Sequence, residues 1–359
     1  MALYTENEKL EELDYFQKLV HSGLNLELNV VVFTPEDVHP TKRLINALHY
    51  DIESKEWYRK WIPFPVLIYD RCRFQRTYRF PLVRKFRSTY PELTYLNRPM
   101  SHKWGIHQIL SQNRNIRPYL PATVQYRNAS DLTKFLQNHK LVYLKPIDGT
   151  GGRGIIRIQK LVDGMCLIEG RDRDRRIIAP QRIKPDRIAS RLSSWELKDR
   201  YLIQQGISLV LKDGRVHDYR LLIQKNGNGD WEVTGCAGRI GAQKSITSNL
   251  HGGGAAIPMM KLLQSRFKSI IKITAIQKSM EKLSHDVVIH LEKNFGRLCE
   301  MALDIAVDPN GHVWLLEVNP KPAREVFYRI KETHAYENAI RRPLEYATWL
   351  SRQDQQEES

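Results

Sequence analysis

Residues 302–321 read ALDIAVDPNGHVWLLEVNPK and predict two β-strands joined by a tight turn. Asn310 and Gly311 form the dipeptide most typical of a two-residue hairpin turn. With that turn, the register places Asp304 directly opposite Glu317, with their Cβ atoms about 5 Å apart. Two facing carboxylates repel each other unless a cation lies between them or one of them is protonated.

The predicted hairpin adds a third oxygen-bearing side chain to this face. Asn319 lies two residues beyond Glu317 and therefore points to the same side of the strand. Two carboxylates and an amide oxygen suit Mg²⁺, or Mn²⁺ in its place. The apolar residues of the opposite face are expected to enter a core: Trp314, Leu316 and Val318. The alternative is that one carboxylate is exposed at a sheet edge and Asn319 only begins a turn, and a register slip of one residue would break the geometry.

A glycine-rich turn follows an apolar stretch that ends at Lys145 and Pro146. Residues 149–154 read GTGGRG, so four of these six positions are glycine. Glycine permits positive φ and lets backbone N–H groups approach an anion closely. A lysine at the end of a strand can also reach a phosphate. The strand–turn–strand pattern therefore predicts a flexible flap over a nucleotide, with an ordinary hairpin loop as the alternative.

Two arginines precede the hairpin in the sequence. Arg220 lies in an otherwise apolar predicted strand, and Arg239 follows the next one. An arginine on a buried strand needs a carboxylate or phosphate partner. Structural salt bridges would provide one. A polar glycine loop, SNLHGGG at 248–254, follows the two arginines and contains His251. Two arginines beside such a loop favour the alternative, in which they bind an anion that develops during a reaction.

The remaining pattern predicts a chain of mixed α and β structure. The first 97 residues are interpreted as a small α/β lobe, and the polar C-terminus as a frayed tail. Helices are predicted at 101–113, 131–139 and 259–294. Strands are predicted at 28–34, 63–69, 141–146, 202–207, 215–224 and 231–237. Residues 155–158 and 166–168 are predicted to be the arms of a hairpin around Asp163 and Gly164.

The composition is that of a globular protein. The chain has 359 residues, of which 42% are hydrophobic and 9% aromatic, which excludes wholesale disorder and predicts two or three domains. Four distant cysteines without a CxxC pair predict buried free thiols. No stretch of about 18 apolar residues occurs, so no transmembrane helix is expected. The polar, acidic start lacks the pattern of a secretory signal, so we expect a cytoplasmic protein.

The charge is strongly basic. The chain carries 56 lysines and arginines against 40 aspartates and glutamates, a net charge of +16. Such a surface attracts nucleic acid, nucleotides or acidic polymers, and charge alone does not choose among them. The run from Arg171 to Arg191 holds seven arginines, one lysine and three aspartates. It is interpreted as a solvated loop or as a surface for an acidic substrate. No base-stacking platform or recognition helix is legible, so nucleic acid ranks last as a specific ligand.

The order of these motifs resembles the ATP-grasp superfamily. The closest likeness is to its endospore coat-associated branch, the YheC/YheD-like proteins of spore-forming bacteria. The stretches that carry it are YLKPIDGTGGRGI at 143–155, HDYRLLIQK at 217–225, SITSNLHGGG at 245–254 and WLLEVNPKP at 314–322. The likeness covers roughly residues 98–350.

The resemblance implies an α+β fold in which two subdomains clasp ATP. The first would span residues 98–205 and carry the glycine flap, and the second, 206–350, would carry the metal hairpin. A pre-ATP-grasp lobe over 1–97 would precede them, and 351–359 would form the tail.

The resemblance also implies roles for individual residues. Lys103 and Lys145 would contact the phosphates, Arg220 and Arg239 would lie near the γ-phosphate and acyl-phosphate, and Asn249 and His251 would contact the substrate. Mg²⁺ would be held by Asp304, Glu317 and Asn319. The other expected ATP contacts are Gly149, Thr150, Gly151, Gly152 and Gly154 of the flap and Gln204, Gln205 and Ile207 of the hinge strand.

The family chemistry implied is ATP-dependent ligation. A carboxylate and ATP would give an acyl-phosphate, which an amine or a thiol would attack. Magnesium and arginines can stabilise the charge on the transferred phosphoryl group, so no protein nucleophile is required. The alternative is a catalytically silent spore-coat structural or assembly protein that keeps the fold, with spore-coat proteins as partners and no membrane contact.

Overall fold

The computed structural model describes residues 1–5, 8–73, 78–149, 152–174, 176–250 and 253–357, the last four as backbone only. Over these residues the helices are α1 Leu13–Leu24, α2 Arg79–Thr89, α3 Lys103–Gln112, α4 Ala129–Asn138, α5 Ile188–Arg191, α6 Met259–Arg266, α7 Ile270–Phe295, α8 Glu325–Arg329 and α9 Thr333–Glu357. The first ten strands are β1 Val38–His39, β2 Leu44–Tyr50, β3 Trp57–Pro63, β4 Leu67–Ile68, β5 Thr94–Tyr95, β6 Thr123–Gln125, β7 Leu141–Pro146, β8 Ile156–Lys160, β9 Cys166–Arg171 and β10 Ile177–Ile183. The others are β11 Tyr201–Gln205, β12 His217–Lys225, β13 Trp231–Ile240, β14 Ala255–Pro258, β15 Glu300–Val307 and β16 Val313–Asn319.

The N-terminal lobe contains a small antiparallel sheet in the order β1-β2-β3 and a parallel pair, β4 and β5. The predicted strand at 28–34 is wrong: this segment makes a single bridge, from Val32 to Leu48. Strand β1 pairs only with Leu44 and Ile45 of β2, and Val32 reaches β2 further along, at Leu48, without extending into a ladder. Val32 and Phe33 are nevertheless buried, as their apolar character requires.

A six-stranded sheet in the order β10-β9-β8-β7-β11-β6 follows the lobe. Strand β7 pairs with β11 so that Lys145 lies opposite Leu202 and Tyr143 opposite Gln204. Helix α4 covers this sheet and begins with a capping box, in which Asn128 and Asp131 satisfy backbone N–H groups of the first turn. The glycine-rich turn connects β7 to β8, as the sequence predicts.

The second large sheet is antiparallel and has five strands in the order β14-β13-β12-β15-β16. Helix α7 packs on it through residues spaced three or four apart, including Ile273, Ile276, Met280, Leu283 and Val287. The predicted helix at 259–294 is therefore two helices, α6 and α7, separated at Phe267–Ser269. Helix α3 also joins this core, through Ile106 and Leu110.

The decisive hairpin, β15 and β16, differs from its predicted register in two places. The turn is longer than two residues, because the N–H of Asp308 donates to His312 O and Val307 pairs with Val313. The predicted two-residue turn is therefore wrong. A β-bulge then shifts the register between Asp304 and Ile305. The two departures offset each other, so Asp304 does lie opposite Glu317.

The bulge also changes which side chains face the core. Val318 is buried as predicted, but Leu315 fills the core position expected for Leu316. Trp314 is only partly buried, and its indole N–H donates to Asp308. The prediction that Trp314 and Leu316 anchor this strand in the core is therefore wrong, because the extra residue reverses the alternation.

A buried polar cluster ties the N-terminal lobe to β15. Glu300, which is completely buried, accepts hydrogen bonds from Arg71, Arg324, Tyr69 and Gln224. Burial raises the pKa of the Tyr69 hydroxyl well above its usual range, so Tyr69 remains a donor. Charged hydrogen bonds in a buried site are strong only when every partner is present.

The prediction for the cysteines is confirmed, whereas the prediction of a frayed C-terminal tail is wrong. All four cysteines are buried free thiols, as predicted. The residues expected as a polar tail continue α9 as far as Glu357. Among the residues described here, no helix has both the length and the apolarity needed to cross a lipid bilayer.

Candidate active site

A cavity of about 400 Å³ lies between the six-stranded and the five-stranded sheet. This volume falls within the range of small-ligand sites. The cavity is bounded on one side by β7, β8 and β11 and on the other by β12, β13, β15 and β16. The expected site residues that line it are Lys145, Gln204, Gln205, Ile207, Arg239, Asn249, Asp304 and Glu317.

Three charged residues form a row across neighbouring strands of the five-stranded sheet. Asp304 on β15 lies opposite Arg220 on β12 and, on its other side, opposite Glu317 on β16. Arg220 Nε donates to Asp304 Oδ1 over 2.5 Å, and Arg220 Nη2 donates to Oδ2 over 3.0 Å. Asp304 and Glu317 therefore line the cavity side by side, and Arg220, which does not line it, holds Asp304 from the neighbouring strand.

A second arginine completes the buried charge cluster. Arg239 Nη2 lies 3.0 Å from Asp304 Oδ2, and its Nε donates to Asp218 Oδ1 over 2.7 Å. Burial alone would raise the pKa of Asp304, but Arg220 and Arg239 outweigh it and hold that pKa below its usual value. Asp304 is therefore ionised at neutral pH, and its charge is shared by two guanidinium groups.

Two lysines approach the cavity from opposite sides. Lys103, the first residue of α3, lies 3.2 Å from Glu317 Oε1. Lys145 Nζ donates to Gln204 Oε1 over 2.5 Å, and Gln204 donates onward to Thr123. The pKa of Lys145 is lowered to about 8, mainly by burial, with Glu317 acting to raise it and the neighbouring charge of Lys103 acting to lower it.

The lowered pKa of Lys145 gives a testable pH dependence. A phosphate binds the protonated ammonium better than the neutral amine, so nucleotide affinity should fall as pH rises through about 8. Between pH 7 and 9 we expect a fall of roughly tenfold. Calorimetric titration with ATP checks this, and Lys145→Arg, which stays charged, should flatten the profile. Equal slopes for the wild type and this variant would contradict the assignment.

The glycine flap lies against the loop expected to contact substrate. Gly152 has φ +76°, and a Cβ placed on it would lie 2.4 Å from Asn249 Nδ2. Gly154 also has positive φ, at +69°, and its N–H donates to Asp172 O. A side chain at Gly152 would therefore have to displace Asn249. Gly149 precedes them and packs on Pro146. Three further expected residues, Thr150, Gly151 and His251, lie outside the described residues.

The hinge segment at the end of β11 is held by hydrogen bonds and brings an apolar side chain to the cavity. Gln205 N–H donates to Ala122 O and its side-chain oxygen accepts from Ala122 N–H, so Gln205 is tied to the segment before β6. Ile207 is buried at the cavity wall. Leu316, turned by the bulge, lines the opposite wall beside Glu317. These apolar side chains can sandwich a flat ring between the two sheets.

Asn319 does not line the cavity, although it stays on the strand that carries Glu317. It pairs with Ala302, and its Nδ2 atom is buried with no hydrogen-bond partner among the described residues. A half-turn of the amide exchanges its nitrogen and oxygen. Such a flip would place the amide oxygen at the position where the nitrogen has no partner.

The donor chemistry fits a divalent cation of the Mg²⁺ class. Asp304, Glu317 and Asn319 supply two carboxylates and an amide, all oxygen donors. The unpartnered Nδ2 position of Asn319, which the amide oxygen can occupy after a flip, favours a missing ligand. No cluster of three histidine, cysteine or acidic side chains that could hold a metal occurs in the described part of the chain.

Two residues of the site were not predicted from the sequence. Asp218 lines the cavity and lies opposite Arg239 in the β12–β13 ladder. The sequence did not mark this pair, because Arg239 lies beyond the strand predicted at 231–237 and a β-bulge shifts the register between Leu222 and Ile223. Leu316 was assigned to the wrong face, and no signal in the sequence marks the bulge that turns it.

The comparisons with known proteins agree with this architecture. The family model described as YheC/D like ATP-grasp matches residues 92–350. The chain belongs to this family. Its fold is therefore the ATP-grasp fold, with the mixed α+β composition predicted from the sequence.

This YheC/D-like ATP-grasp chain has two similar proteins in Bacillus subtilis (strain 168). It is 27% identical over 330 residues to endospore coat-associated protein YheC, which covers 89% of this chain and 87% of YheC. It is 27% identical over 346 residues to endospore coat-associated protein YheD, covering 94% and 74% of the two chains.

Similar solved structures are more distant in sequence. A D-alanine–D-alanine ligase from Coxiella burnetii is 11% identical, covers 87% of this YheC/D-like chain and 77% of its own, and has a TM-score of 0.49. The ATP-grasp ligase PsnB, complexed with a minimal precursor, is 12% identical, with coverages of 92% and 96% and a TM-score of 0.48.

Proposed function

We propose that the protein is an ATP- and Mg²⁺-dependent ligase that activates a carboxylate for attack by an amine or a thiol. The observation that carries the proposal is the convergence of Lys145, Arg239, Asp304 and Glu317 on one cavity between two sheets. Membership of the ATP-grasp family supports the reaction class. The cavity supplies cationic, acidic and apolar surfaces, which correspond to the phosphates, the metal and the base of ATP.

Each group then has a physical role. The apolar walls, with Ile207 and Leu316, would hold the adenine, and Lys145 and Lys103 would bind the phosphates. Asp304, Glu317 and Asn319 would hold Mg²⁺, which when bound neutralises charge on the phosphate oxygens. The flap residues Gly149–Gly154 would close over the phosphates and exclude water.

The proposed reaction has two steps. A carboxylate oxygen of the substrate attacks the γ-phosphorus of ATP, and ADP leaves with the electrons of the broken P–O bond. The amine nitrogen or thiol sulfur then attacks the acyl carbon, inorganic phosphate leaves, and the nucleophile loses its proton to water. Arg220 and Arg239, held by Asp304 and Asp218, would stabilise the negative charge on the transferred group.

The test of this function is direct. Calorimetry of the full chain should show Mg²⁺-dependent ATP binding, and a survey of amino acids and acidic peptides should find sustained ADP release with at least one of them. Asp304→Ala with Glu317→Ala should remove the Mg²⁺-dependent binding. Unchanged binding in that double variant would contradict the proposed metal site.

A second function is favoured by one specific observation. Both oxygens of Asp304 already accept hydrogen bonds from arginines, and Glu317 pairs with Lys103, so the acids are neutralised by the protein itself. This would suit a spore-coat structural or assembly protein that keeps the fold without turnover, in line with the coat association named for YheC and YheD. Sustained ADP release with any substrate would rule it out.

A further inference from the structure

Strand β10 is an edge strand of the six-stranded sheet. Among the described residues, no strand pairs with its outer side. Residues 179–182 are exposed, and Ile177 is 70% exposed. An open edge strand offers unpaired backbone N–H and C=O groups to another chain. Pro180, which has no N–H, lies in the bulged part of the strand and interrupts this row at one position.

The surface beside this edge is strongly cationic. The run from Arg171 to Arg191 has a net charge of +5. Within the described residues, Arg171, Arg173 and Arg176 are paired with no carboxylate, whereas Arg182 pairs with Asp163. Unpaired guanidinium groups attract carboxylates or phosphates and bind them through two parallel hydrogen bonds.

This cationic edge begins at the glycine flap. Arg171 N–H donates to Ile155 O over 2.8 Å, and Gly154 N–H donates to Asp172 O over 3.0 Å. Arg173 packs against Gly154, since a Cβ on that glycine would lie 3.6 Å from the Arg173 Cγ atom. A ligand lying along β10 would therefore have one end beside the loop that covers the candidate phosphate site.

A second cavity extends this connection. It has a volume of about 290 Å³ and is lined by Asp148 of the flap segment, Arg173, Arg200 and Tyr201, among others. Arg173 therefore contacts the flap on one side and borders an open cavity on the other. The space continues from the basic loop to the base of the flap.

We propose that β10 binds an extended acidic peptide as an added strand, and that this peptide carries the carboxylate substrate of the proposed ligase. Backbone hydrogen bonds to the open edge would give affinity, and the arginines would select acidic side chains. The role of the peptide as substrate rests on the proposed function, whereas its binding to β10 does not.

Two other roles for the basic β10 edge are protection from aggregation and binding of nucleic acid. Each of them explains fewer of its features than binding of an acidic peptide does. Charges on an edge strand do prevent aggregation, but Arg173 also borders Gly154 of the flap and the second cavity, where protection of the edge requires no charge. Single-stranded nucleic acid is also anionic, but residues 171–191 contain no aromatic side chain on which a base could stack.

The binding test uses the full chain and a labelled ten-residue peptide of alternating glutamate and valine. Fluorescence anisotropy should show binding that weakens at least tenfold in the triple variant Arg176→Gln/Arg182→Gln/Lys184→Gln. The matched control, Lys42→Gln/Arg84→Gln/Lys85→Gln, changes the net charge equally at exposed sites of the N-terminal lobe and should bind within twofold of the wild type. Equal losses in both variants would overturn a specific site.

A second peptide separates strand pairing from charge attraction. Two peptides, N-methylated at the odd or at the even backbone amides, keep every carboxylate but each block one edge of the added strand, so affinity should fall at least tenfold for at least one of them. Unchanged affinity of both would overturn strand addition. Tighter binding of a ten-nucleotide RNA than of the acidic peptide at 150 mM salt would also overturn the proposal.

Measuring Mg²⁺-ATP binding beside peptide binding separates the β10 site from the ligase reaction. A wild-type chain that binds Mg²⁺-ATP but not the peptide would overturn the β10 site and leave the ligase proposal standing. Binding of the peptide without Mg²⁺-ATP binding would support the β10 surface and contradict the ligase. Peptide-stimulated ADP release that falls at least tenfold in the triple variant would support both.

Discussion

Glu317→Gln is expected to reduce ATP turnover by roughly 10²–10³-fold, because it removes a negatively charged oxygen from the proposed cation site. The glutamine keeps the size of the side chain, and Glu317 is one-third exposed, so the fold should tolerate the change. The readout is ADP release at increasing Mg²⁺. The variant should need far more Mg²⁺ than the wild type to reach half of its own maximal rate.

Two controls separate the metal role of Glu317 from its ion pair with Lys103. Lys103→Met breaks the same ion pair but keeps the carboxylate, so it should weaken ATP binding without changing the Mg²⁺ requirement. Glu325→Gln removes an exposed carboxylate on α8 and should have no effect on either property. A Mg²⁺ requirement that stays the same in Glu317→Gln would remove this residue from the metal site.

Glu300→Gln should lower the free energy of unfolding by about 3–5 kcal/mol, since it leaves buried cationic side chains without their counter-charge. Glu300 is completely buried and accepts hydrogen bonds from Arg71 and Arg324. Because Arg71 comes from the N-terminal lobe, the loss should also loosen the lobe from β15. Urea unfolding monitored by tryptophan fluorescence measures the change.

The matched control for this prediction is Glu92→Gln. Glu92 pairs with Arg43 over 2.8 Å, but both side chains are at least half exposed. An exposed pair of this kind contributes about 0–1 kcal/mol, so the variant should unfold close to the wild type. If Glu300→Gln were no more destabilising than Glu92→Gln, the buried cluster would not be what holds the lobe in place.

The sequence predicts most of the two sheets because their signals are local. Strand β7 begins and ends where its apolar run does, and the hairpin of β8 and β9 forms as predicted. These features depend on alternation and turn residues, which a single sequence displays directly. The predicted pairing of Asp304 with Glu317 is correct, but only because the longer turn and the β-bulge offset each other.

The parts that could not be predicted depend on contacts between distant segments. Nothing near Glu300 in the sequence indicates that Arg71 from the N-terminal lobe is its partner. The segment expected as a strand at 28–34 is buried but makes only one bridge to β2, and whether an apolar run becomes a strand depends on such distant pairing. The bulge at Leu316 has no glycine or proline to mark it.

The bulge has a consequence for how this site can change over evolution. Leu316 and Glu317 are consecutive residues, yet both border the cavity, one with a hydrocarbon surface and the other with a carboxylate. A mutation that restored regular pleating would rotate one of them away. In the proposed ligase, selectivity for a different nucleobase would therefore be easier to acquire at Ile207, just after β11, or at Tyr143 of β7, where mutations leave the proposed cation ligands undisturbed.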